Sequence, residues 1–162
     1  MNMKRVLLTL VLIGLLGSPP ALAISLYVSP EVPTILSAAP RFPWDIVRYD
    51  SGVYSTALSL PPVTAIDGLH RMEGGDWLLS VEAPTILGAV AADPRDVVRY
   101  DGAVFSLFFC GAAVGIPAGS NVDAVILLSS GDAGPLALSF DVPTVIGATT
   151  YEPSDLVIFK RT

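Results

Sequence analysis

Asp45, Asp96 and Asp155 stand two residues after a proline, in Pro43-Trp44-Asp45, Pro94-Arg95-Asp96 and Pro153-Ser154-Asp155. Asp67 and Asp123 share a second recurring position, and Glu31, Glu82 and Asp141 a third. Carboxylates repeated in this way could hold calcium, a hard cation that takes six to eight oxygen ligands from carboxylates and carbonyls. No Asp-x-Asp-x-Asp loop or Gly-rich nonapeptide of the calcium-binding kind accompanies them. The other chemistry open to these residues is local: an Asp beside a turn accepts hydrogen bonds from nearby backbone N–H groups and fixes a strand end. The spacing favours that structural role, with a metal site at Asp45, Asp96, Asp155, Asp67 and Asp123 kept as the alternative.

Arg48 and Arg99 occupy one position in two copies of the same segment, and Ile158 stands there in a third. An arginine on a strand requires a carboxylate partner if it is buried, and Asp67 and Asp123 are the expected ones. Phe42 and Trp44 fall in a loop where the other copies carry polar residues, so a ligand-binding patch would be sought at Phe42, Trp44, Arg48 and Arg99. His70 is the only histidine and Cys110 the only cysteine. One His cannot build a zinc site alone, and no Gly-x-Ser-x-Gly elbow supplies a nucleophile. One Cys makes no internal disulfide, though it could pair between chains. No catalytic residues are assigned.

The elements that position these residues come from an internal repeat. Ser29-Pro30-Glu31-Val32-Pro33-Thr34 returns as Ser80-Val81-Glu82-Ala83-Pro84-Thr85 and as Ser139-Phe140-Asp141-Val142-Pro143-Thr144. A unit of this length is one supersecondary element that stacks on its neighbours to bury its apolar faces. Four β-rich runs per copy are expected: Tyr27-Ser29, Trp77-Glu82 and Leu136-Asp141; Asp45-Tyr49, Asp96-Tyr100 and Asp155-Phe159; Val53-Leu60 and Val104-Phe109; Ala65-Leu69 and Val122-Leu128. Gly, Pro, Asp and Ser clusters bound them. Insertions in the second copy fall near Gly111 to Gly115 and in the Ser129 to Gly134 turn, as loops between strands should show. Asp101-Gly102 predicts a type I′ hairpin, and Asp50-Ser51-Gly52 a longer or bulged turn.

The expected fold is therefore all-β, of antiparallel four-stranded repeats, two complete and one half. Either propeller-like blades or a closed barrel or sandwich of about ten strands would satisfy it. Copy three breaks off after its second strand. The sheet could be closed by curling, by several chains completing a ring, or by further copies in a longer array. The units resemble tandem four-stranded β-repeats of exported bacterial proteins, mostly of unknown function. That resemblance rests on Leu78 to Gly88, Asp96 to Gly102 and Ile116 to Ala124, and it brings no catalytic residues.

Lys4 and Arg5, the apolar run Val6 to Leu16 and the small-x-small triplet Ala21-Leu22-Ala23 read as a secretory signal over 1–23. Residues 24–162 read as a single repeat domain, divided at about 24–75, 76–134 and 135–162. This domain carries 7 basic residues against 15 acidic ones, which argues against nucleic acid. The expectation is a periplasmic or extracellular protein with no membrane span after the signal. It would play a structural or interaction role, through self-association or with another exported protein. Alternatives are a small calcium- or carbohydrate-binding lectin-like module and a hydrolase.

Overall fold

The computed structural model describes residues 25–62, 64–129 and 131–160; the signal segment lies outside them. The fold is all-β and antiparallel. Its strands are β1 (Leu26–Val28), β2 (Thr34–Leu36), β3 (Ala39–Arg41), β4 (Asp45–Asp50), β5 (Val53–Ser59), β6 (Ile66–Arg71), β7 (Trp77–Val81) and β8 (Thr85–Leu87). There follow β9 (Val90–Ala92), β10 (Val97–Tyr100), β11 (Phe105–Phe109), β12 (Val122–Leu127), β13 (Leu136–Phe140), β14 (Thr144–Ile146), β15 (Thr149–Tyr151) and β16 (Val157–Phe159). The one helix among the described residues is a 3-10 turn, Gly111–Val114, at the site of the second copy's insertion. No helix there is long and apolar enough to cross a membrane.

The strands form three blade-like sheets, ordered β1-β4-β5, β11-β10-β7-β6 and β12-β13-β16, and no closed barrel. The second and third sheets are out of phase with the sequence repeat by one strand. The fourth strand of copy one, β6, pairs with the first strand of copy two, β7, and β12 pairs with β13 in the same way. Between the first and second strands of every copy a two-stranded ribbon stands off the sheet: β2-β3, β8-β9 and β14-β15. The ribbons raise the strand number above the expected ten. Their three-residue strands are too short to show a period of two, so the Pro-Thr segments read as loops in the sequence.

The middle sheet is covered on both faces. Trp77 and Leu79 lie in one apolar cluster with Ile46, Leu60 and the half-buried Tyr27 and Trp44 of the first sheet. Leu78, Val97, Phe108 and Phe109 lie in a second with Val125, Leu136, Leu138 and Phe140 of the third sheet. All five residues of β7 are buried. That is why β7 reads as a continuous apolar run rather than an alternation. Val81, Leu87, Ala92 and Val98 form a smaller cluster that anchors the second ribbon.

The two hairpin turns differ from expectation, and in opposite directions. Asp50 pairs with Val53, and Ser51 and Gly52 both take positive φ (48° and 91°), so the first copy holds the two-residue I′-like turn. In the second copy only Gly102 is positive, at φ 99°. The Asp101 carboxylate there accepts the N–H groups of Ala103 and Val104, each at 2.9 Å. That side-chain turn competes with the tight hairpin and wins.

Candidate functional site

The x-Pro-x-Asp turns are built alike. Asp45 N–H donates to Phe42 O, Asp96 N–H to Asp93 O and Asp155 N–H to Glu152 O, each at 2.9 Å. The Asp carboxylate reaches back to the first residue of its turn: Asp45 Oδ2 accepts Phe42 N–H at 2.8 Å, Asp96 Oδ2 accepts Asp93 N–H at 3.1 Å, and Asp155 Oδ2 accepts Glu152 N–H at 2.9 Å. The second oxygen ties the turn to the end of the third strand. Asp45 Oδ1 accepts Ser59 Oγ–H at 2.6 Å, and Asp96 Oδ1 accepts Gly111 N–H at 2.9 Å. These aspartates are thus backbone clamps, and the first two are buried.

Asp67 and Asp123 sit elsewhere and do not meet the arginines. Asn121 Nδ2 donates to Asp67 at 2.5 Å, and Ser139 Oγ donates to Asp123 at 2.5 Å. Burial holds the Asp67 carboxyl above the ordinary carboxylate range; the Asn121 hydrogen bond pulls it down, and the charges of Glu82, Asp141 and Asp123 push it further up. Among the described residues, no three His, Cys, Asp or Glu side chains come together as a metal-binding group.

The expected pairing of Arg48 and Arg99 with Asp67 and Asp123 is corrected. Arg99 Nε and Nη2 converge on Asp76 Oδ2 at 2.6 and 2.5 Å, and Nη1 reaches Asp132 Oδ2 at 2.5 Å. Asp76 and Asp132 are equivalent residues in the Gly-rich turns before β7 and β13, so Arg99 clips its own sheet to the next one. Arg48 lacks that pair. Its guanidinium bonds Asp50 at 2.5 Å and the Ser25 hydroxyl at 2.9 Å, Ser25 standing where the next copy has Asp76. In copy three Ile158 ends the series. The physical reason for the miss is register: Arg99 lies opposite Leu78 at the Asp76 end of β7, far along the sheet from the position of Asp67.

Around Arg99 the two turns enclose a cleft of about 440 Å³, lined by His70, Arg71, Glu73, Asp76, Leu127, Ser129 and Asp132 among others. The Arg71 guanidinium lies 4.4 Å from the Trp77 ring centroid and 6.0 Å from that of Tyr27. Tyr27 meets Trp77 edge-on at 5.0 Å. Burial lowers the His70 pKa below its ordinary value and so favours the uncharged ring. Both cleft arginines are already engaged, one by carboxylates and one by an aromatic face. The sequence held a signal for this cluster, namely a Gly-rich-turn Asp in two copies and an Arg retained in two and lost in the third.

Phe42 and Trp44 stack at 4.9 Å with an interplanar angle of 5°, in the loop where they were expected. Trp44 packs against the Ile46-Leu60-Trp77 cluster and is half-buried. The most exposed large apolar residues are elsewhere, on the ribbons: Ile35 and Ile86 are 74% and 70% exposed. Cys110, partly buried, precedes the 3-10 turn as a free thiol. Comparison of the chain with protein-family models, with curated proteins and with solved structures finds no match, so its assignment rests on its own geometry.

Proposed function

We propose that this chain is an exported, non-enzymatic β-repeat module with a structural or interaction role, binding copies of itself or another exported polypeptide. The observation that carries this reading is what each copy turns outward. Asp45, Asp96 and Asp155 are turned to the protein's own backbone, whereas the central residue of each ribbon's first strand, Ile35, Ile86 or Val145, is exposed. Single exposed apolar residues are ordinary on any surface. The same exposed apolar position in three successive ribbons fits a surface that other chains cover. The leader over 1–23 supports export, and the repeat's resemblance to exported bacterial β-repeats agrees with it.

The test is the triple variant Ile35→Lys, Ile86→Lys, Val145→Lys, compared with the parent chain by light scattering across a concentration series. The parent associates and the variant does not, while their circular dichroism and Tm agree. A parent that stays monomeric and unbound by any partner at every concentration sinks the reading. Thermal unfolding in millimolar calcium against chelator separates the calcium-binding alternative, since a ligand of the folded state must raise Tm. Fractionation and N-terminal sequencing of the expressed protein check export, with a mature start at Ile24.

A further inference from the structure

We propose that Asp67 and Asn121 form a proton-gated lock across the joint between the second and third sheets, closed when Asp67 carries a proton and loosened when it does not. This joint is internal and separate from the ribbon surfaces. It lies where β6 of the second sheet packs against β12 of the third. Gly68, beside Asp67, comes so near that a Cβ there would stand 3.2 Å from Ala124 Cα. Asp67 is half-buried at this close approach. Its Oδ2 accepts the Nδ2–H of Asn121, the residue that leads into β12, at 2.5 Å.

The Asn121 amide is only half used. Its Oδ1 is buried and accepts no hydrogen bond among the described residues. An ionised carboxylate can only accept, so it leaves that oxygen an orphan. A carboxylic acid beside a primary amide has the complementary pattern: one oxygen accepts the amide N–H, and the O–H donates to the amide oxygen. Uptake of one proton on Asp67 Oδ1 thus turns a single hydrogen bond into a cyclic pair and satisfies the orphan. No other covalent bond changes.

The surroundings favour the protonated form. Glu82 N–H donates to Ala65 O and Asp141 N–H to Asn121 O, each at 3.1 Å, which sets both acids beside the joint at the ends of β7 and β13. Asp123 of β12 is the third carboxylate, and all three are exposed. Burial holds the Asp67 carboxyl above its ordinary value against the pull of the Asn121 N–H, and the charges of Glu82, Asp141 and Asp123 add to the rise. The charges that shift it are all acidic; His70 and Arg71, further along β6, line the cleft around Arg99 instead. Because the folded-state value lies above 3.8, the lock closes as pH falls through it and opens as pH rises towards neutrality. Asp123, the equivalent residue, takes the Ser139 hydroxyl at the surface and serves as a control.

The test is a pH titration of the full chain by NMR, reading the side-chain Cγ signals of Asp67 and Asn121. Amide exchange of β12, corrected for the intrinsic rate at each pH, is followed alongside. Asp67 is expected to titrate above 3.8, with the Asn121 signal moving at the same midpoint. Opening of β12 becomes roughly three- to tenfold rarer from neutral pH to the acid side of that midpoint. Asp67→Asn puts an amide N–H where the acid O–H would be, so its β12 is protected at neutral pH as the parent's is in acid. Asp123→Asn keeps the parent's pH dependence. In Asn121→Ala the Asp67 carboxyl still titrates, but protection of β12 no longer follows it. An Asp67 midpoint at or below 3.8, an Asn121 signal blind to the titration, or a pH dependence of β12 that survives Asp67→Asn overturns the proposal. So does a dependence abolished by about 0.5 M salt, which would reduce the effect to repulsion among exposed carboxylates.

Discussion

Arg99 and Asp132 meet at 2.5 Å across the junction of the second and third sheets, and the same guanidinium holds Asp76 of its own sheet. One side chain thus fixes the spacing of two successive Gly-rich turns. The pair is partly open to water: Asp132 is 59% exposed and Asp76 only 17%. Screening by solvent makes the Asp132 arm the weaker one.

Accordingly, Asp132→Asn costs under about 1 kcal/mol in urea unfolding, while Asp76→Asn costs more, on the order of 1–2 kcal/mol. Raising salt narrows the Asp132 difference first. Equal costs for the two would mean that Arg99 does not bridge the sheets as described.

Asp96→Ala leaves the N–H groups of Asp93 and Gly111 without their acceptor inside the protein. A loss of about 2–4 kcal/mol is expected from two such groups. Asp155→Ala, with one hydrogen bond at an exposed turn, costs under about 1 kcal/mol. Chemical denaturation of both variants checks the ratio, and a clamp role predicts a clear excess for Asp96.

Asp67 supplies a pH test. Its carboxyl is raised in the folded protein above the ordinary value of 3.8, chiefly by burial. The folded state therefore holds this proton more tightly than the unfolded one. Its contribution to stability is fully present below 3.8 and is lost as pH rises through the folded-state value. Asp67→Asn keeps an acceptor for Asn121 and removes the charge. It should raise Tm at pH 7, and the gain should vanish as the pH is brought below 3.8.

Gly68 lies where β6 touches β12, and a Cβ there would stand 2.6 Å from Ser80 Oγ and 3.2 Å from Ala124 Cα. Gly68 N–H also donates to Ser80 Oγ at 2.6 Å. Gly68→Ala forces the second and third sheets apart and costs about 1–3 kcal/mol. Gly74→Ala, with open space around it, is a control that stays within about 1 kcal/mol of the parent. Thermal melts of the two variants distinguish a packing contact from a loss of chain flexibility.

The strand runs were legible because they are bounded by turn chemistry and rich in β-formers. β4, β5, β7 and β12 lie within a residue or two of where composition put them. The structural role of Asp45 and Asp96 was legible too, since a Pro two residues earlier marks the turn they close. The ribbons were not, because Thr85–Leu87 is too short to display alternation. Nor were the partners of Arg99, which depend on strand register. Sequence distance places Asp123 nearer than Asp132, yet only the Gly-rich turns reach the same end of the sheets. The turn types at Ser51-Gly52 and Asp101-Gly102 were exchanged because side-chain hydrogen bonding from Asp101 outweighs the dipeptide preference.

The one-strand offset between repeat and sheet has a consequence for how such a chain changes length. Each junction between copies lies inside a sheet, where a fourth strand pairs with the next copy's first, as β6 and β7 do across Glu73-Gly74-Gly75-Asp76. A genetic crossover between equivalent points of two copies rejoins a fourth strand to a first strand wherever it falls. Loss or gain of a whole unit therefore leaves each interior sheet with its full set of neighbours, and only the outermost edges register the change.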